Sequence, residues 1–220
     1  MFIQGSKENQ ILIIQSDNAA RLIASSIIIG VLMSTVLYSN GWLVTDSGGI
    51  TEQYDTHLFV PTNINKLAIS TCRTVAAGIS GKALIYANII NSIVDQIAIF
   101  LKDNDYELSS STDVCDYFKK IAVDNKADFT LLIINTIDYH IYEISCEIKE
   151  DTFIFNVKTI RNTDIQSIGS GSFFAYAAIS LGFSPIDAVK QAIKYDQFSR
   201  LPIRSVSIND LVKYIAEDKS

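Results

Sequence analysis

The residues of this chain best suited to chemistry begin with the turn Gly169-Ser170-Gly171, which runs from Ser167-Ile168 directly into the Ala-rich segment Phe173-Phe174-Ala175-Tyr176-Ala177-Ala178. Two glycines give a tight turn a bare surface, and free N–H groups gather where a helix starts. A turn of that kind can hold a catalytic chain end. Further on, Asp196-Gln197-Phe198-Ser199 closes a second helical segment, and upstream Asp46 and Lys66 stand as isolated charges beside apolar strands. Each has an ordinary reading as well. Gly-Ser-Gly is common in loops, Asp46 before Ser47-Gly48-Gly49 suits a turn cap, Lys66 suits a strand edge, and Asp196 with Ser199 suits a helix end. The weight lies in their joint occurrence.

Composition narrows the chemistry. The chain has 220 residues, 48% of them hydrophobic and 19% charged, which is enough apolar material for one large core, and no Pro-, Gly- or charge-rich linker divides it. With only His57 and His140, a Ser-His-Asp triad is disfavoured. Cys72, Cys115 and Cys146 lack CxxC spacing, so no metal-ligand set is assembled and no cofactor is expected. An odd number of scattered cysteines fits a reducing, cytoplasmic setting. A net charge of −6 without a Lys/Arg cluster argues against nucleic acid as a partner.

The elements that must position these residues follow from periodicity. Runs rich in Val, Ile and Thr predict strands over 11–14, 27–38, 42–45, 57–60, 67–70 and 74–79. Leu84, Ile85, Ile89, Ile93, Ile97 and Leu101 then mark one face of a long helix over 82–102, and a Ser/Thr/Asp-rich start predicts a second helix over 111–124. Strands return over 129–135, 140–148 and 152–157. Helices over 172–181 and 185–198, a strand over 205–208 and a terminal helix complete the chain. Strands, two helices, strands, two helices is the order of an α+β, four-layer αββα sandwich. The charge-free stretch 22–45 is long enough for a membrane span, but Ser39-Asn40-Gly41 within it is a hairpin turn signal, so two strands are preferred to a membrane anchor.

From Ser34 to Ile208 the motifs resemble the proteasome β-subunit and HslV branch of the N-terminal-nucleophile hydrolases. The hairpin Ser34-Thr35-Val36-Leu37-Tyr38-Ser39-Asn40-Gly41-Trp42-Leu43-Val44-Thr45-Asp46-Ser47 looks like the family's first hairpin, and Asn65-Lys66-Leu67-Ala68-Ile69 like its Lys-bearing strand. Ala76-Ala77-Gly78-Ile79-Ser80-Gly81 matches the strand and Gly turn before the first long helix, Ile168-Gly169-Ser170-Gly171 the family's characteristic turn, and Asp196 with Ser199 its Asp-x-x-Ser. The interval from Asp46 to Lys66 is longer than usual, with an inserted-looking loop over 53–61.

The resemblance implies the αββα fold and a peptidase or amidohydrolase whose nucleophile is an N-terminal hydroxyl residue. Such a residue uses its own α-amino group, with a pKa of about 8, as general base, so no His is needed. Lys66 would lower the hydroxyl and amine pKa values by its charge, Asp46 would orient Lys66, and the Gly81 N–H would hold the oxyanion. Ser170, Asp196 and Ser199 would hold the freed amine and its water. Family spacing counted back from Asp46 lands near 30–32, where no Ser, Thr or Cys stands. Cross-strand pairing about Asn40-Gly41 instead sets Asp46 opposite Ser34 or Thr35, which makes Ser34 the first candidate nucleophile and Thr35 the alternative, with Ser25 and Ser26 as outsiders. Residues 1–33 then read as a leader or propeptide-like extension and 34–220 as the hydrolase domain. The resemblance also implies a ring-shaped homo-oligomer, peptide or protein substrates and an ATP-dependent unfoldase partner. The competing reading is a non-catalytic structural or assembly subunit of the same fold.

Overall fold

The structure, a computed structural model, describes residues 34–217 apart from 54–57, 82–88, 105–107, 109, 110, 138 and 151. Its first element is a hairpin, β1 (Val36–Ser39) and β2 (Trp42–Thr45), turned by Asn40 and Gly41 at φ 51° and 77°. Two consecutive left-handed residues give the turn whose twist matches its strands, and Asn-Gly is the pair that adopts it most readily. A second hairpin follows, β3 (Gly48–Gln53) with β4 (Leu58–Asn63). The loop expected over 53–61 is therefore corrected to a strand pair, because Gly48-Gly49 continues into an extended segment instead of ending at a turn. The expected strand over 11–14 and the 27–33 part of another lie outside the described residues.

β5 (Leu67–Ile69), β6 (Val75–Gly81), β7 (Phe129–Asn135), β8 (Ile141–Lys149) and β9 (Thr152–Ile160) form an antiparallel sheet in sequence order. β10 (Gln166–Ile168) and β11 (Arg204–Ser207) flank the first hairpin in a sheet ordered β10-β1-β2-β11. The helices are α1 (Ile90–Asp103), α2 (Thr112–Asn125), α3 (Ser172–Ser180), α4 (Pro185–Tyr195) and α5 (Ile208–Glu217).

Alternation along the strands decides the layers. Leu131 and Ile133 of β7 join Ile93, Val94 and Ile97 of α1 and Phe118 of α2 in one apolar cluster, while Leu132 and Ile134 join Val36, Tyr38 and Leu43 in another, between the sheets. On the other side Leu37 and Val44 pack against Ala175 and Ala178 of α3 and Ala188, Val189 and Ala192 of α4. Both sheets are thus buried on both faces, and the order is helices, sheet, sheet, helices, an α+β sandwich. Small alanines on α3 and α4 let these helices lie close to the four-stranded sheet. The apolar face of α1 is spent on its own sheet: Ile93, Val94 and Ile97 are buried, and of the described residues of the 85–99 stretch Ile99 is the large exposed one. The core thus accounts for the apolar face of the described part of that stretch.

No helix among the described residues is long and apolar enough to cross a membrane, and the 36–45 part of the charge-free stretch is the β1–β2 hairpin.

Candidate functional site

Strand register brings the polar residues together. Val36 pairs with Thr45 on one side and with Ile168 on the other, so the two residues before β1, Ser34 and Thr35, lie between Asp46 and the Gly169-Ser170-Gly171 turn. The ladder continues past β2 with the Asp46 N–H donating to the Thr35 carbonyl at 3.0 Å. Across from it, the Gly171 N–H donates to the Ser34 carbonyl at 3.2 Å. The glycines are required by closeness: a Cβ on Gly169, which has φ +93°, would sit 2.1 Å from Ser34 O, and one on Gly171 would sit 2.0 Å from Thr35 Oγ1.

Asp46 is the hub. Its Oδ1 accepts from Lys66 Nζ and from the Thr35 N–H, both at 2.8 Å, and its Oδ2 accepts from the N–H groups of Gly48 at 2.7 Å and Arg200 at 2.9 Å. Asp46 and Lys66 are both fully buried. Four donors offset the cost of burying the carboxylate, which no single ion pair does reliably. The bond to Gly48, two residues on, is a turn cap, so the ordinary reading of Asp46 and the functional one hold at once. Burial pushes the Lys66 ammonium below its usual range, while the charges of Asp46 and, at longer reach, Asp196 work in the opposite direction.

On the far side of Ser34 a chain of hydroxyls ends on a second carboxylate. The Ser34 N–H, which in the full chain is the amide joining it to Met33, donates to Ser170 Oγ at 3.2 Å. Ser170 Oγ donates to Asp196 Oδ2 at 2.7 Å, and Ser199 Oγ donates to the same oxygen at 2.6 Å. Thr35 Oγ1 is 2.6 Å from Ser199 Oγ. Asp196 caps the C-terminal end of α4, and its Oδ1 also accepts from the Phe198 N–H at 3.3 Å.

Ser34 and Thr35 are thereby distinguished. The Thr35 hydroxyl is engaged with Ser199, whereas the Ser34 hydroxyl is fully buried and has no hydrogen-bond partner among the described residues. In this arrangement Lys66 holds Asp46, and Ser34 Oγ stands beside the network without being bonded into it. Gly81 ends β6 opposite Phe129, and residues 82–88, which follow it, lie outside the described residues, as does the start of the helix expected over 82–102. Ser25 and Ser26 are also outside. The Gly48 N–H donor is the turn cap the sequence offers, and Gly48 is held to glycine there because a Cβ would come 2.0 Å from Phe198 O; the Arg200 N–H donor was not foreseen.

The three cysteines are free thiols, with Cys146 buried, and no cluster of three His, Cys, Asp or Glu side chains suited to a metal is found among the described residues.

No protein-family model matches the chain, and no curated protein matches it in sequence. Among solved structures the chain is similar to Anbu (ancestral beta-subunit) from Yersinia bercovieri, with a TM-score of 0.43 and 10% sequence identity over 84% of this chain and 94% of that one.

Proposed function

We propose that this chain is a proteasome-like N-terminal-nucleophile hydrolase that frees Ser34 by breaking its own Met33–Ser34 peptide bond and then hydrolyses peptide amides. The observation that carries the reading is the composition of the surroundings of Ser34. A buried hydroxyl without a partner lies between a fully buried Asp46–Lys66 pair and a Ser170–Asp196–Ser199 cluster that receives the Ser34 N–H. These are the parts the motif resemblance asks for, and they come from five separate places in the sequence.

In this mechanism the Ser34 hydroxyl is a weak nucleophile until a base takes its proton. Once residues 1–33 are gone, the Ser34 amine fills that role, its pKa of about 8 lying near neutrality. Ser170 and Asp196 hold the amine in place. Lys66 contributes positive charge in a water-poor setting, where it favours the developing alkoxide far more than it would in bulk solvent. The Gly81 N–H is assigned to the oxyanion. Thr35 is a positioning residue through Ser199, not the nucleophile. Exposed apolar side chains on the outer helix layer, Phe173, Tyr176, Leu181 and Tyr195, favour assembly of further copies over that layer in a homo-oligomeric ring, with peptides or unfolded protein as substrate and an ATP-dependent unfoldase as partner.

The test is intact mass after expression of the full chain. Loss of residues 1–33 that Ser34→Ala prevents and Thr35→Ala does not is the expected result. A wild-type chain that neither sheds the segment nor cleaves a peptide amide under any condition gives the protein to the alternative reading, a non-catalytic assembly subunit.

A further inference from the structure

Ser80 is a buried hydroxyl that the fold does not use. It lies two residues beyond Gly78 on β6, where a Cβ would come 2.4 Å from Val36 Cγ1 of the other sheet, so alternation turns Ser80 into the same space between the sheets. Its Oγ has no hydrogen-bond partner among the described residues, and the residue is fully buried. The Oγ is 2.9 Å from the point where a Cβ on Gly169 would sit, and that same point is 2.1 Å from the Ser34 carbonyl oxygen. The Ser80 hydroxyl and the Ser34 backbone carbonyl therefore meet at one glycine, and Ser34 itself carries a second buried hydroxyl without a partner among the described residues. Buried hydroxyls are nearly always hydrogen-bonded, and of those without a partner among the described residues, Ser34, Ser39, Thr45, Ser47 and Ser80, it is Ser34 and Ser80 that share the Gly169 turn.

We propose that Ser80 is a positioning residue that holds the water which hydrolyses the Ser34 ester, an inference that rests on the reading of Ser34 as nucleophile. In self-cleavage Ser34 Oγ adds to the Met33 carbonyl carbon, the C–N bond breaks, and the hydroxyl proton passes to the departing Ser34 nitrogen. Residues 1–33 are then esterified to Ser34. A water held by Ser80 Oγ adds to the ester carbon. Its proton travels through the amine to Ser34 Oγ as the C–O bond breaks, and residues 1–33 leave as a carboxylic acid that ionises in solvent. The same water position serves an ester formed from a substrate. A buried water needs two to four polar partners, and Ser80 Oγ, Ser34 Oγ and the new amine supply them.

The experiment follows the intact mass of the full chain over time, with and without hydroxylamine, for wild type, Ser80→Ala and Ser80→Cys. Removing an unpartnered hydroxyl leaves stability in urea equal to or above wild type, whereas removing the water's anchor slows loss of residues 1–33 by about tenfold or more. Hydroxylamine, which attacks esters, restores release in Ser80→Ala, and the fragment leaves as a hydroxamate. Ser80→Cys, of similar size but a weak donor, falls between the two. It decides the matter if the alanine variant does not fold. Wild-type processing with Ser80→Ala equally fast overturns the inference and leaves the Ser34 reading standing, as does slow processing that hydroxylamine does not rescue. A wild-type chain that neither processes nor forms a hydroxylamine-sensitive ester overturns both.

Discussion

Replacing Gly171 by alanine adds one methyl group at the point where the turn touches Thr35, the residue after the candidate nucleophile. Gly171 has φ −84°, a value any residue adopts, so the substitution carries no backbone strain and acts through space alone. The new Cβ would lie 2.0 Å from Thr35 Oγ1 and must recede to the 3.4 Å or more of ordinary contact. Overpacking of that kind costs about 1–3 kcal/mol, and displacing Thr35 also strains its hydrogen bond to Ser199, worth about 1 kcal/mol, giving a destabilisation of roughly 2–4 kcal/mol. Gly41→Ala is the control. There φ is +77° and nothing lies within 4 Å, so the cost is left-handed backbone strain alone, about 1 kcal/mol, far from Ser34. Urea unfolding measures both. Intact mass measures processing, which Gly171→Ala should slow by about a hundredfold because the Ser34 carbonyl shifts with the turn, while Gly41→Ala leaves it unchanged. If Gly171→Ala proves no more costly than Gly41→Ala, or processes at the wild-type rate, the close approach of the turn to Thr35 is not what requires a glycine.

Other expectations follow from the buried pair and the outer layer. Lys66→Met should abolish processing and should also destabilise the fold. It leaves Asp46 buried with three backbone N–H donors, so the loss falls at or below the low end of the roughly 3–5 kcal/mol typical of broken buried pairs. Because burial lowers the Lys66 pKa in the folded state, the unfolded chain binds more protons between that value and the ordinary 10.5, so this group's contribution to stability rises with pH across the window. Urea midpoints at increasing pH should show that rise as a wild-type minus Lys66→Met difference, and a flat difference would remove the buried cation from the account. Light scattering at micromolar concentration should give a multiple of the processed chain's mass for wild type and of 24.4 kDa for Ser34→Ala, which keeps residues 1–33, whereas a monomer mass in both would refute assembly over the α3–α4 layer.

Much of the fold was legible because its strands and helices carry different periods. The 129–135 strand and the Asn40-Gly41 turn stand where the residues put them, and α2 and α3 lie within a residue of their expected bounds. β3 was missed because Gly48-Gly49 look like loop residues, β4 was expected over 57–60, stopping short at Pro61, and β10 was missed because three residues carry no period. At the site, identity and order were enough to gather Asp46, Lys66, Ser170, Asp196 and Ser199. Pairing about Asn40-Gly41 already ranked Ser34 ahead of Thr35, but that the Thr35 hydroxyl is engaged with Ser199 while the Ser34 hydroxyl has no partner among the described residues is something a linear pattern does not contain. Ser80 was passed over as one more small residue in a β-strand, since its isolation from any partner is a property of the surrounding space.

The bonds to Asp46 also set a clock. Asp46 receives hydrogen bonds from Thr35, Gly48, Lys66 and Arg200, and the Ser34 side leans on Ser170 and Asp196, so the constellation draws on the beginning and the far end of the chain. A ribosome delivers Ser34, Asp46 and Lys66 early and Ser170, Asp196 and Arg200 much later. Until then the hydroxyl and the peptide bond before it travel without the turn and the second carboxylate around them. Only a chain synthesised past Arg200 can close the ring of contacts, which makes that point of translation a safety catch on the Ser34 site.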